Sequence, residues 1–383
     1  MANVANITPK VLEWARKYND LTRSDLADKV HVHENQIVKW ETGKTKPTFN
    51  QASELASALH IPFGYLFLSA PPSLETPLPD LRTRRDRRLL KISPVLREVM
   101  YGAFDRYEWY REYVSEYGRG KLPFVGRFTT RDGPKKVAAS IRKVLNISPS
   151  ERAELKTHSK YLTLLTERAE AAGILVMRSS VVGNDTRRGL SPGEFQGFVI
   201  TDDTVPMVFI NGADFIGAQI FTFAHELAHI WIGKSGISNP NEAEINATDH
   251  ASVETFCNNV AVEVLVPEAE FLKAWEKHPK EFYELARYFK VSTLVIERRA
   301  YELDKIGSGD FFALLQSSKA NRKPRPKGGR GDYLANVATR HSPTVMDSII
   351  KDVRTGGTLL RDGARLLNMG LPTFARVVEG GEY

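Results

Sequence analysis

The sequence predicts a multidomain, mainly α-helical protein: short N-terminal helices, then an α+β domain built on a small sheet, then a helical C-terminal tail. Three observations carry this reading. Apolar residues recur at helical spacing over most of the 383-residue chain, only three short apolar runs have strand character, and two stretches rich in proline, glycine and arginine interrupt the pattern. An apolar content of 42% suits a globular protein of two or three domains. No apolar run approaches the length of a membrane span, and the N-terminus lacks a basic segment followed by an apolar core, so a cytoplasmic protein with no membrane partner is expected. The single cysteine, Cys257, forbids an intrachain disulfide, agrees with a reducing compartment and is expected to be a small buried side chain.

Residues 1–68 read as one helical domain. Val11, Leu12 and Ala15 begin one amphipathic pattern, Leu26, Ala27 and Val30 a second, Ile37 and Trp40 a third, and Ala52, Leu55, Ala56 and Leu59 a fourth. Gly43 stops the third helix, and Pro47-Thr48 opens the next. Residues 69–118 form a proline- and arginine-rich linker followed by a helix. The prolines at 71, 72, 77 and 79 cannot continue a helix, whereas the aromatic-rich pattern from Pro94 to Gly118 fits one docked on the next domain.

In the central domain, 119–305, helices are expected at 134–145 and 158–172, with strands at 173–177, 197–200 and 206–210. The last strand reads as an edge on which an extended peptide could be laid. A long apolar helix follows it, then a loop at 234–250, a helix at about 251–265 and more helices to 304. Residues 306–332 read as a basic linker and 333–383 as a helical tail, in which Thr358 to Phe374 has the look of a further short helix-turn-helix. The net charge of +7 suggests a polyanionic partner, although the basic runs Arg82–Arg88 and Lys319–Arg330 lie in linker-like surroundings and read as solvated hinges.

The chemistry concentrates in His225-Glu226-Leu227-Ala228-His229, set between the apolar runs 221–224 and 230–233. On a helix, residues four apart share a face, so the two imidazoles can chelate one Zn2+, and Glu226 beside them can take a proton from an attacking water. The pattern arises by chance in on the order of 1 in 100 chains of this length, so its surroundings must decide. Burying two unpartnered imidazoles in so apolar a stretch would be costly, which favours ligation. Catalytic zinc normally takes three protein groups, so a third must lie downstream among Glu242, Glu244, Asp249, His250, Glu254 and Glu263. Glu254 and Glu263, nine residues apart on one helix, face opposite sides, so only one can reach the metal. Glu254 is preferred because Asn258 and Ala261 give its face small and polar company; Glu263 and His250 stay as alternatives.

Phe221 to His229, together with Val253 to Pro267, resembles the ImmA/IrrE family of metallopeptidases, as do Glu194-Phe195-Gln196-Gly197-Phe198, Phe209-Ile210-Asn211 and Lys290-Val291-Ser292. The resemblance covers roughly 75–305. It implies a zincin-like domain and zinc-dependent cleavage of a helix-turn-helix repressor, with His225, His229 and Glu254 as ligands and Glu226 as general base. Cys257 stands where the family more often has alanine.

Leu21 to Ala27 and Ile37 to Thr48 are similar to the Cro-like (XRE) helix-turn-helix family over residues 7–68. This implies a five-helix domain whose third helix enters the major groove of an operator, with a pair of modules, and so a homodimer, on a two-fold site. Asn35, Gln36 and Lys39, with Glu34, would face bases or backbone, and Arg23, Lys44 and Lys46 would reach phosphates. His31 replaces the usual turn glycine and His33 a common capping serine, while Glu34 puts negative charge at the DNA-facing end. A protein-binding or dimerisation role is the alternative for this module. Some relatives of this domain combination pair with PIN-like toxins, which makes a toxin a further candidate partner.

Overall fold

A computed structural model describes residues 4–72, 93–118, 120–238, 249–320 and 332–380, without side-chain detail at 238, 249–252 and 315–320. Both basic runs fall wholly or largely outside this description, as do Glu242 and Glu244 and the side chains of Asp249 and His250. The chain forms two compact units, divided between Glu98 and Val99. No helix among the described residues is long and apolar enough to cross a membrane.

The first unit contains α1 (Pro9–Tyr18), α2 (Arg23–Lys29), α3 (Glu34–Glu41), α4 (Phe49–Ala58) and, as its fifth helical element, a 3-10 turn at Phe63–Phe67. Thr22 and Thr48 start α2 and α4 with reciprocal capping boxes to Asp25 and Gln51. The apolar faces close over Leu12, Leu26, Ile37, Trp40 and Leu55, all at most 1% exposed. The α2–α3 turn departs from the usual chemistry: His31 adopts φ 54°, a left-handed backbone that glycine takes without penalty, and His33 sits at the cap of α3 without a capping hydrogen bond.

Helix α5 (Pro94–Glu116) spans the division between the units. The second unit continues with α6 (Pro134–Val144), α7 (Pro149–Glu154) and α8 (His158–Ala171), followed by β1 (Leu175–Ser179), a small antiparallel pair β2 (Val181–Val182) and β3 (Asp185–Gly189), then β4 (Gly197–Ile200) and β5 (Met207–Asn211). After β5 come α9 (Ile216–Ile232), β6 (Gly236–Ser238), α10 (Asp249–Leu265), α11 (Glu268–Lys277), α12 (Phe282–Phe289), α13 (Thr293–Glu302) and α14 (Ser308–Ala320). The four-stranded sheet has the order β1-β5-β4-β6, with β1 parallel to β5 and the other two pairs antiparallel.

The expectation that Pro206–Ile210 is an edge is therefore corrected: β5 lies between β1 and β4. Its residues are buried throughout, the signature of an interior strand, and among the described residues the sheet ends at β6, inside the stretch expected to be loop. Helix α9 packs on β4, β5, α6, α8 and α10, and fifteen of its seventeen residues are buried. Gly233 ends it in the left-handed conformation, φ 66°.

The tail folds as α15 (Tyr333–His341), α16 (Pro343–Thr355), α17 (Leu360–Leu366) and α18 (Leu371–Val378). Helix α15 lies along β1. The Glu170 carboxylate accepts from Val176 N at 2.7 Å, Ser342 Oγ at 3.1 Å and Thr344 N at 3.3 Å, and so ties α8, β1 and the tail together. Asn184 in the β2–β3 turn donates to the carbonyls of Leu367 and Asn368, and Arg106 of α5 donates to Leu366 O at 3.1 Å. The tail thus covers the β1 side of the sheet, away from β6.

Candidate metal centre

Helices α9 and α10 pack face to face and bring together three of the residues singled out from sequence. His225 Nε2 and His229 Nε2 are 3.0 Å apart, and Glu254 approaches them at 3.1 and 3.4 Å. All three side chains are buried. Four-residue spacing on α9 stacks the imidazoles; the carboxylate comes from the facing helix.

The hydrogen bonds behind the ring nitrogens settle what the cluster can do. His229 Nδ1 lies 3.0 Å from the carbonyl of Lys234, which can only accept, so in the neutral ring the proton is on Nδ1 and Nε2 keeps its lone pair. His225 Nδ1 lies 3.0 Å from Asn258 Oδ1, with the same consequence. Two lone pairs and a carboxylate then converge in a space screened from water and repel one another unless a cation lies between them. A tetrahedral ion with bonds of ~2.0–2.1 Å sets neighbouring donors ~3.3 Å apart, close to the spacings here. The residues fit a metal ion, and the nitrogen and oxygen donor set suits zinc.

Electrostatics agrees with that donor state at His225, whereas at His229 burial is outweighed by Cys257 and Glu254, which raise the pKa well above the ordinary value, so a proton competes with a cation for this cluster. Burial lowers the His225 pKa against the pull of Glu254, which favours the neutral ring that ligates. Burial alone would raise Glu254, but His225 and His229, when they carry a proton towards it, outweigh burial and hold the carboxyl below its ordinary range, ionised; a cation between the donors would take over that role. Cys257 is buried one helical turn after Glu254, and burial raises its thiol, consistent with a small neutral side chain.

Glu226 is fully buried on the next face of α9, against β4. There the strand backbone passes so close that a Cβ on Gly197 would stand 2.9 Å from Glu226 Oε1 and 2.8 Å from the Phe209 carbonyl oxygen. Glu263, the alternative ligand, is elsewhere: it pairs with buried Arg299 of α13 and accepts from Glu268 N. Sequence reasoning noted Asn258 as company for Glu254 but missed its role behind His225. The Lys234 carbonyl has no side-chain signature, and Gly197 could have been flagged as an isolated glycine in a strand.

In the first unit, Asn35 is exposed on α3, Lys39 is half-buried, and Lys44 is exposed just beyond it. Gln36 Nε2 reaches Thr45 Oγ1 at 3.1 Å, and exposed Lys46 donates to Asn6 Oδ1 at 2.6 Å. Arg23 is engaged within the domain, its Nε 2.7 Å from the buried Glu41 carboxylate that also binds Arg16.

A buried two-histidine, one-carboxylate site on packed helices beside a small sheet, preceded by a helix-turn-helix unit, defines the general class. Comparison with known families narrows it: residues 169–301 match a peptidase-family model, the IrrE N-terminal-like domain, and residues 12–66 match the helix-turn-helix model. The chain thus combines a helix-turn-helix DNA-binding domain with an IrrE/ImmA-like peptidase domain. No curated protein matches the chain.

Proposed function

We propose that this protein is a cytoplasmic zinc-dependent endopeptidase that cleaves a helix-turn-helix repressor and so relieves repression, while its N-terminal unit binds an operator as a dimer. The observation that carries the reading is the convergence of His225 Nε2, His229 Nε2 and Glu254 beside a buried Glu226. A purely structural metal site has no use for a base next to its ligands.

Zn2+ held by the three ligands would polarise the scissile carbonyl and make water acidic enough to attack at neutral pH. Glu226 accepts the proton from that water and returns it to the leaving amine. Asn258 and the Lys234 carbonyl hold the imidazoles in the ligating tautomer. Among the described residues no strand pairs with the outer side of β6, which would offer backbone groups to an extended peptide; a Cβ on its Gly236 would lie 4.0 Å from His229 Cε1, so a strand laid there would run beside the ligands. Such pairing gives affinity with little sequence choice, so selectivity for one repressor falls to surfaces outside the centre.

The test is co-expression with the repressor encoded nearest the gene, followed by intact-mass spectrometry. Wild type should yield one or a few cleavage products and contain about one zinc per chain. Glu226→Gln should keep the zinc and yield none, and His225→Ala should lose both. Cleavage by Glu226→Gln, or none by wild type against every neighbouring gene product, would overturn the assignment. For the N-terminal unit, Lys44→Ala should weaken binding to all DNA alike and Asn35→Ala should change preference among operators; no gel shift at low salt would refute DNA binding.

A further inference from the structure

Away from the metal centre, the start of α8 faces α11 and α12 across a cleft of about 790 Å3, within the usual range for small-molecule sites. Its cations outnumber its anions. Both lining carboxylates are already engaged, Glu284 with Arg287 at 3.3 Å and Glu270 with buried Arg152. Among the described residues, Lys156, Lys273 and Lys277 have no carboxylate within ion-pair distance, and Lys290 donates only to the Arg287 carbonyl. Burial, with Arg152 and Arg287 behind it, lowers the pKa of Lys290, as expected where positive charge is crowded. Thr157, on the cleft wall, caps the start of helix α8, which adds the positive end of its dipole.

The cleft also carries a flat apolar surface that a simple anion site would not need. Tyr283 is 68% exposed at its edge and has no ring partner among the described residues, whereas Tyr288 packs against Phe289 with Arg152 over its ring. Uncompensated ammonium groups on facing walls and a single open aromatic face match the two halves of a nucleotide.

We propose that this cleft binds a nucleoside phosphate, its phosphates held by Lys156, Lys273, Lys277 and Lys290 and its base stacked on Tyr283. A polynucleotide would instead call for a basic track with successive stacking rings, and among the described lining residues Tyr283 is the tyrosine without a ring or cation partner. The proposal is independent of the metal centre and of peptidase activity.

Calorimetric titration of the full-length protein at low salt tests it, with ADP, GDP, adenosine, tripolyphosphate and a short single-stranded oligonucleotide as probes. ADP or GDP should bind, and adenosine should bind more weakly. Lys273→Glu with Lys277→Glu should reduce nucleotide affinity about tenfold or more, through charge reversal at two phosphate contacts. Tyr283→Ala should reduce it about 5- to 100-fold while leaving tripolyphosphate unchanged. All three positions are exposed, so the variants should melt as wild type does. The proposal is overturned if neither nucleotide binds at about 1 mM, if Tyr283→Ala leaves nucleotide affinity unchanged, or if only the oligonucleotide responds to the lysine reversals.

Discussion

Gly197→Ala is the most informative single perturbation of the centre because it adds one methyl group and changes no charge. Built on the β4 backbone, that methyl would sit 2.7 Å from Thr222 Cγ2, 2.8 Å from the Phe209 carbonyl oxygen and 2.9 Å from Glu226 Oε1. Thr222 and Glu226 can swing, but Phe209 O belongs to the neighbouring strand and pairs in register with β4. Restoring ordinary contact, 3.4 Å or more, requires β4 to move off β5 by about 0.6 Å at that point. Overpacking of this kind costs about 1–3 kcal/mol. At about 2–4 °C per kcal/mol for a unit of this size, the melting temperature should fall by roughly 2–12 °C. The same movement displaces Glu226 but none of the three ligands on α9 and α10, so zinc content should hold while cleavage falls, by about tenfold for a displacement of half an ångström. Gly189→Ala is the control, since a Cβ there meets only Ser180 O at 4.0 Å. Thermal melts, metal analysis and repressor cleavage on the two variants decide the matter. A Gly197→Ala protein that melts and cleaves like wild type would refute the argument that close backbone approach positions the base.

The two acidic residues of α10 should fail in different ways: Glu254→Ala should lose zinc affinity with the fold intact, while Glu263→Ala should keep zinc but lose up to about 3–5 kcal/mol, because buried Arg299 is left with the longer 3.6 Å contact to Glu302. Zinc retention by Glu254→Ala, measured by metal analysis, would remove it from the centre. The tail should carry a pH signature through His341, which is 1% exposed and whose pKa burial, with Arg106 and Arg340 nearby, pulls well below the ordinary range. The unfolded ring takes its proton first, near pH 6.5, so this stability is complete above about pH 6.5 and is lost as pH falls from there through the folded pKa, at up to about 1.4 kcal/mol per pH unit. Denaturant melts across that range should show a shallower slope for His341→Gln, and an identical slope would contradict the assignment. In the first unit, His33→Ser should stabilise by about 0.5–2 kcal/mol, because the extended backbone at that cap is ready to receive a side-chain acceptor that histidine does not supply. A melt of the helix-turn-helix unit unchanged by His33→Ser would count against it.

What the sequence determined by itself is what depends on neighbours along the chain. Helical spacing placed α1 to α4, the apolar runs placed β4 and β5, and the four-residue interval between His225 and His229 put both imidazoles on one face before any packing was known. Even the antithesis between Glu254 and Glu263 followed from helical geometry. Which of them faces the histidines was decided by tertiary structure, because Arg299, thirty-six residues after Glu263, claims that carboxylate. The edge strand was misread for a related reason: an apolar run announces burial, but strand order is set by long-range pairing, and that pairing places β5 inside and recruits the short Gly236–Ser238 segment as β6. The hairpin of β2 and β3 carries almost no apolar pattern and was invisible until the tail anchored to its turn through Asn184. The elements closest to chemistry, Asn258 behind one imidazole, the Lys234 carbonyl behind the other and Gly197 against the base, act through atoms that meet only when α9, α10 and β4 are packed. Local spacing selects the residue types, and the packing of two helices on one strand brings them together.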